Sequence, residues 1–149
     1  MLGVVFVHGF NSSPKMWDAF SGLMAGDGQF AGVVAEVRPR FGYATGLYSK
    51  RLTRAIPTLD TAAYSLKAYL GDEAPPERFE RLMLVGHSMG GLVIQRYLAQ
   101  MLGEGRGREL ARIRHVMLLA TPNAGSLLLR DARRVLLGGN PQEQQLRPL

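Results

Sequence analysis

The sequence contains no cysteine, which excludes disulfide bridges and thiolate metal sites. No apolar run in it approaches the ~20 residues that a membrane-crossing helix needs. Histidine is scarce: the chain has three, His8, His87 and His115. Nucleotide-binding signatures are also missing. No G-x-G-x-x-G follows an apolar strand-like run; Gly103-Glu-Gly-Arg-Gly107 follows a helical pattern and has the wrong spacing. There is no P-loop, so hydride transfer from a dinucleotide and P-loop phosphoryl transfer both fail as readings. No cofactor and no metal is implied. Acidic residues are outnumbered, 12 against 18 Lys and Arg, for a net charge of +6. That excess is spread along the chain except at Arg106, Arg108, Arg112 and Arg114. The cluster reads as a solvated loop and helix end rather than a nucleic-acid surface, though peripheral contact with an anionic membrane stays open.

At 149 residues the chain is expected to form a single domain with a sizeable core. An apolar fraction of 46% and a charged fraction of 20% place it among ordinary soluble globular chains. Met1-Leu-Gly-Val-Val-Phe-Val7 has no basic leader and no cleavage site, so a cytoplasmic location is expected. Asn11-Ser12-Ser13 matches a glycosylation acceptor and is taken as coincidence in that setting.

The most informative stretch is Leu82-Met-Leu-Val-Gly-His-Ser-Met-Gly-Gly-Leu-Val-Ile94. Leu82 to Val85 has the length and apolarity of a buried strand, and Leu92, Val93, Tyr97, Leu98 and Met101 then recur at helical spacing. Gly86-His87-Ser88-Met89-Gly90 lies at the junction. A serine turned that sharply between strand and helix takes a strained backbone conformation, and side chains two residues either side would collide, hence glycine there. A chance tight turn would need no such frame, so the stretch reads as a nucleophile elbow. It lifts the serine oxygen above the sheet, at the positive end of the following helix.

The rest of the chain supplies the frame. Leu2 to Val7 reads as a buried parallel strand (a), ending in a turn at His8-Gly9-Phe10. Ser13 is placed to cap a helix beginning at Pro14, with Trp17, Phe20 and Met24 on its apolar face. Gly32 to Val37 is a second strand (b), and 40–54 an irregular loop. Leu59, Ala62, Ala63, Leu66, Tyr69 and Leu70 form a helical stripe with Gly71 as its stop. Leu82 to Val85 is strand c, its helix runs to about Leu102, and His115 to Ala120 is strand d. Leu127 to Leu137 is a further candidate helix. Strands alternating with helices imply an α/β fold: a parallel sheet with helices on both faces, in the order b-a-c-d. The topological switch then falls between strands a and c, where ligands bind at the carboxyl ends. Those two ends carry His8-Gly9-Phe10 and the Ser88 turn.

In that crevice Ser88 would attack a carbonyl, and the resulting oxyanion would need preorganised N–H donors. Met89 and Phe10 are the candidates, with Gly9 allowing close approach of the turn. His8 reads as a residue that holds its loop in place by hydrogen bonding rather than as a proton carrier. His87 precedes the serine, so its side chain points elsewhere and reads as packing.

Val7-His-Gly-Phe10, Gly86-His-Ser-Met-Gly-Gly91 and Ala120-Thr-Pro-Asn-Ala-Gly-Ser126 together resemble the α/β-hydrolase superfamily, and within it the lipase-like and GPI-inositol-deacylase-like serine esterases. The resemblance covers residues 2 to about 126. It implies that strands a to d are the third to sixth of the family sheet and that Ser88 is the nucleophile. The N–H groups of Phe10 and Met89 become the oxyanion hole, supported by His8, Gly9, Gly86, His87, Gly90 and Gly91. The implied substrate is a small-molecule or lipid-like carboxylic ester. Asn123 stands where the family often has a histidine that is not the general base. Residues after it usually form a lid or cap, a role open to Leu127 to Leu137.

One departure matters. The family order is serine, then acid, then histidine. No histidine follows residue 115 here, and His115 starts strand d, at the opposite end of the sheet from Ser88. The carboxylates after strand d are Asp131 and Glu143, and Asp131 reads as a helix-surface residue. The domain therefore reads as incomplete at its C-terminus, with strand d left as an edge for missing strands or for self-association. Two functions remain: a serine hydrolase whose acid and base are not in these residues, or a non-catalytic α/β-hydrolase-like binding or interaction module.

Overall fold

Alternation along Leu2–Val7 (β1) builds the molecule in two layers around one sheet. Val4 and Phe6 project to one face, Val5 and Val7 to the other, and all four are buried. The computed structural model describes residues 1–10, 12–39 and 58–123. In it Val34–Val37 (β2), Arg81–His87 (β3) and Ile113–Leu119 (β4) join β1 in a four-stranded parallel sheet of order β2-β1-β3-β4. This is the b-a-c-d order, and the α/β class with helices on both faces is the observed one.

Asp18–Gly26 (α1) lies over one face, entered through a 3-10 turn at Pro14–Trp17. Trp17, 1% exposed, fills the space against Val4, Phe6 and Val85, its ring centroid 4.9 Å from that of Phe6. Leu59–Asp72 (α2) and Met89–Gly103 (α3) cover the other face. There Leu66 and Leu70 of α2 and Val93, Ile94 and Tyr97 of α3 share one core with Val5, Val7, Leu82 and Leu84. The Thr58 hydroxyl accepts from the Thr61 N–H and caps α2. Arg112 anchors the far end of this layer, donating to the carbonyls of Leu70, Ala74 and Phe79. No helix among the described residues is long and apolar enough to cross a membrane.

Several element boundaries differ from the sequence expectation. Ser13 sits at the N-cap of the 3-10 turn in extended conformation, but its side chain makes no capping bond. Instead its carbonyl accepts from the Met16 N–H at 3.1 Å. The α1 face is thinner than the apolar spacing implied: Phe20 is 47% exposed and no residue of α1 is fully buried, because Trp17 ahead of it does the covering. Strand b begins at Val34, not Gly32, whose φ of 71° belongs to the preceding turn. Gly71 does not stop α2, which continues to Asp72. Strand c is longer at both ends, strand d is shifted to Ile113–Leu119, and a 3-10 turn at Gly107–Arg112 precedes it. Arg106 of the arginine cluster is ion-paired with Glu109 and Glu104 rather than simply solvated. The expected loop at 40–54 and helix at Leu127 to Leu137, with Asn11, Asp131 and Glu143, lie outside the described residues.

Leu66 is 0% exposed in the centre of the larger core. Leu66→Ala should destabilise the chain by about 2–5 kcal/mol, through lost burial plus a cavity. Urea denaturation measures it, and an unchanged midpoint would show that α2 does not pack on the sheet as described.

Candidate active site

The carboxyl ends of β1 and β3 are neighbours, with Val7 paired to Gly86, so the segments that leave them are forced together. From β1 comes His8-Gly9-Phe10; from β3 comes Ser88. The two segments touch. A Cβ placed on Gly9 would lie 3.0 Å from the Ser88 Cβ and 3.0 Å from the His87 carbonyl oxygen, so a larger residue would push the turn away from the serine. The crevice at the topological switch thus brings Gly9, Phe10 and Ser88 together, and Met89 opens α3 beside them.

Ser88 has φ 53° and ψ −125°, a conformation that a residue with a Cβ adopts only with strain of about 1–3 kcal/mol. The strain is held from both sides. The Ser88 N–H donates to the Leu119 carbonyl of β4 at 2.8 Å, and the Ser88 carbonyl accepts from the Gly91 N–H at 3.1 Å. Ser88 is the N-cap of α3, so its partly exposed side chain stands at the positive end of a 15-residue helix.

The surrounding glycines are spatial requirements. A Cβ on Gly90 would lie 2.3 Å from the Val7 carbonyl oxygen and 2.7 Å from that of His8. One on Gly86 would lie 2.7 Å from both the N and Cα of Gly91. One on Gly91 would lie 1.9 Å from the Thr121 Oγ1. The first turn of α3 is therefore seated directly on the backbones of β1 and β3 and against the turn after β4. Ala120 and Thr121 belong to the Ala120-Thr-Pro-Asn-Ala-Gly-Ser126 motif, in which no local pattern points to this contact. The doubled glycine at 90 and 91 was the available signal that something closes on the helix there.

The histidines separate by environment. His8 is 0% exposed, and its Nδ1–H donates to the Gly9 carbonyl at 3.0 Å, which stiffens the turn. His87 turns its ring edge-on to Trp17, with centroids 6.5 Å apart and planes at 83°. Its Nδ1 is buried and has no hydrogen-bond partner among the described residues. His115 lies on β4 opposite Met83, beside Leu2, Arg81 and Arg114 at the amino end of the sheet. The structure thus brings Gly9, Phe10, Gly86, His87, Ser88, Met89, Gly90 and Gly91 to one end of the sheet, and places His115 at the other. Among the described residues no group of three or more His, Cys, Asp or Glu could hold a metal ion.

Gly90→Ala tests this close seating. Its methyl would meet main-chain oxygen that cannot swing aside, so we expect a loss of about 1–3 kcal/mol. Gly71→Ala is the control: it lies within α2 with nothing within 4 Å, and should gain up to ~1 kcal/mol. Thermal melts compare them, and a Gly90→Ala variant as stable as the parent would refute the contact with β1.

Solved structures share this architecture at low identity. Phospholipase PlaB from Legionella pneumophila matches with a TM-score of 0.64 and 20% identity, over 99% of this chain and 32% of that one. Lipase BlEst2 from Bacillus licheniformis matches with a TM-score of 0.64 and 20% identity, over 97% and 54%. RedJ, the thioesterase of the prodiginine pathway in Streptomyces coelicolor, matches with a TM-score of 0.59 and 19% identity, over 92% and 48%. The chain thus spans between about a third and just over half the length of these structures. Among curated proteins nothing matches. The family model described as "Alpha/beta hydrolase family" matches residues 4–148, nearly the whole chain, and the protein belongs to that family.

Proposed function

We propose that this chain carries the nucleophile and oxyanion hole of a serine hydrolase acting on carboxylic esters, lipid-like esters included. The observation that carries the reading is Ser88 itself: a strained serine at a helix N-terminus, in contact with the glycine turn that leaves the neighbouring strand. Strain of that kind clusters at functional sites, and a serine oxygen raised at a helix N-terminus suits attack on a carbonyl. In the proposed first step the Ser88 Oγ attacks the acyl carbonyl carbon and its proton passes to a base. The tetrahedral oxyanion accepts hydrogen bonds from the Met89 and Phe10 N–H groups. Collapse expels the alcohol and leaves an acyl-serine, which water then hydrolyses to the free acid. Losing one such donor costs roughly 3 kcal/mol in comparable sites, which gives Gly9 its importance: it lets the Phe10 turn come close. The three motifs resemble lipase-like and GPI-inositol-deacylase-like esterases, and the similar structures are a phospholipase, a lipase and a thioesterase, which supports an acyl carbonyl as the target.

The proton acceptor is the missing part. His8 is occupied beneath its turn, His115 is at the other end of the sheet, and no histidine follows it in these 149 residues. Loss of the triad histidine costs on the order of 10⁶ in kcat, or about 8 kcal/mol of transition-state stabilisation. A fluorophosphonate should therefore label Ser88 slowly, as located by mass spectrometry, while hydrolysis of p-nitrophenyl butyrate stays near background in both the parent and Ser88→Ala. Adducts at another serine with Ser88 untouched would remove the assignment. Fast turnover abolished by Ser88→Ala would mean that a base exists within the chain, with His8 the first suspect.

The same reading bears on partners. The described sheet ends at β4, where Val116, Met117 and Leu118 are 42%, 44% and 37% exposed. Such an apolar edge invites pairing with another chain. We expect the 149-residue protein to self-associate, and a Met117→Lys charge on the edge to reduce it. Light scattering that shows a stable monomer of the parent at high concentration would contradict this.

A further inference from the structure

We infer that the turn after β4, residues 120–123, is a positioning element for the elbow, with Thr121 as the wedge that sets where the first turn of α3 sits. The inference rests on Ser88 being the nucleophile.

Two independent features of the turn carry it. The first is strain. Ala120 has φ 49°, and Ser88 and Ala120 are the two non-glycine residues with positive φ among those described. Alanine has no polar side chain to stabilise a left-handed backbone, so the conformation is imposed by what the chain must do next. The two strained residues follow adjacent strands and are tied together, because the Ser88 N–H donates to the carbonyl of Leu119, the residue before Ala120. The second feature is the placement of Thr121. Its Oγ1 occupies the space where a Gly91 side chain would begin, 1.9 Å from that Cβ position, with its Cγ2 and Cβ at 2.9 and 3.0 Å. That oxygen is buried and has no hydrogen-bond partner among the described residues, so it serves there as volume.

The far side of the turn is fastened as well. The Asn123 N–H donates to the Thr121 carbonyl at 2.9 Å, and Gln95 Nε2, two turns into α3, donates to the Asn123 Oδ1 at 3.0 Å. The opening of α3 is thus held by three contacts: Gly90 on β1, Gly86 on Gly91, and Thr121 in the Gly91 notch. The first two are main chain against main chain. Of these three glycine contacts, Thr121 in the Gly91 notch is made by a side chain from the turn after β4, so a substitution can relax it without moving a strand. Because Ser88 and the Met89 N–H both belong to this opening, a shift of α3 by about 1 Å would misplace nucleophile and oxyanion donor together. Errors of that size cost on the order of 10²-fold in rate.

The experiment measures fluorophosphonate labelling of Ser88 in the 149-residue chain as a function of probe concentration, separating the maximal rate from the half-saturating concentration. Thermal melts run in parallel. Thr121→Ala should lower the maximal rate between about 10- and 100-fold in the folded protein and leave half-saturation unchanged. Thr121→Val, which restores the branched shape without the hydroxyl, should recover most of the rate. Ala120→Gly should melt no lower than the parent, since glycine relieves the left-handed strain, and yet label more slowly because the turn is looser. Thr121→Ala that is folded and labels at the parent rate overturns the inference. Equal loss in Thr121→Val also overturns it, by assigning the effect to the hydroxyl. Should Thr121→Ala fail to fold, Ala120→Gly decides alone: parent-rate labelling rejects a positioning role. If the parent itself shows no adduct on Ser88, the nucleophile reading falls and the inference falls with it.

Discussion

The rest of the site depends on how closely the first turn of α3 sits on main chain. Helices in α/β layers are normally held off the sheet by the side chains packed between them. Here Gly86, Gly90 and Gly91 remove the spacers where helix meets strand, and carbonyl oxygens of Val7 and His8 lie where a Gly90 Cβ would be. The helix opens almost on top of the sheet, so the residue before it has no room for a relaxed turn. Ser88 takes φ 53° as a result. The strain at the serine and the glycines around it are one constraint seen from two sides.

That constraint has to be supported by something stiffer than itself. The core between the sheet and α2 and α3 does this, since Val5, Val7, Leu82, Leu84, Val93 and Ile94 lock the strands and the body of α3 together. Strain of a few kcal/mol persists only where surrounding packing over-determines it. On the other face, Trp17 packs at a tilt against Phe6 and edge-on against His87, which supports the strand end just ahead of the serine. The hydrogen bond from the Ser88 N–H to the Leu119 carbonyl then uses β4 as a third wall. A parallel sheet suits this task because all its carboxyl ends face one way, so successive strands deliver their outgoing turns to one crevice.

Much of this was legible in the sequence because the signals are local and periodic. Alternation in Leu2 to Val7, the apolar run at Leu82 to Val85 and the 3.6-residue spacing after Ser88 each depend on residues close in the chain. The strand order follows from chain order and the rules of crossover connections. Boundaries were less legible, for physical reasons that differ by site. Gly71 looked like a stop, but glycine only weakens a helix, and Leu66 and Leu70 packed in the core outweigh its propensity. The spacing of Phe20 matches Trp17 and Met24, but spacing cannot tell that the 3-10 turn ahead would bury Trp17 against the sheet and leave Phe20 half-exposed beside it. Ser13 looked like a side-chain cap, yet that turn is satisfied through its backbone.

By itself the sequence determined the α/β class, the two chain segments that meet at the switch point, and the serine singled out between glycines, since each is encoded by residue type at short range. The number and order of its three histidines are likewise read from residue type alone. Only the tertiary structure decided how close these segments come: Gly9 against Ser88, Gly90 against Val7, and Thr121 in the notch at Gly91. It alone also decided that Ala120 shares the strain of Ser88 across a pair of strands, and that His8 is spent on its own turn while His115 stands at the other end of the sheet. Contacts of that kind join residues far apart in the chain, and no local pattern carries their distances.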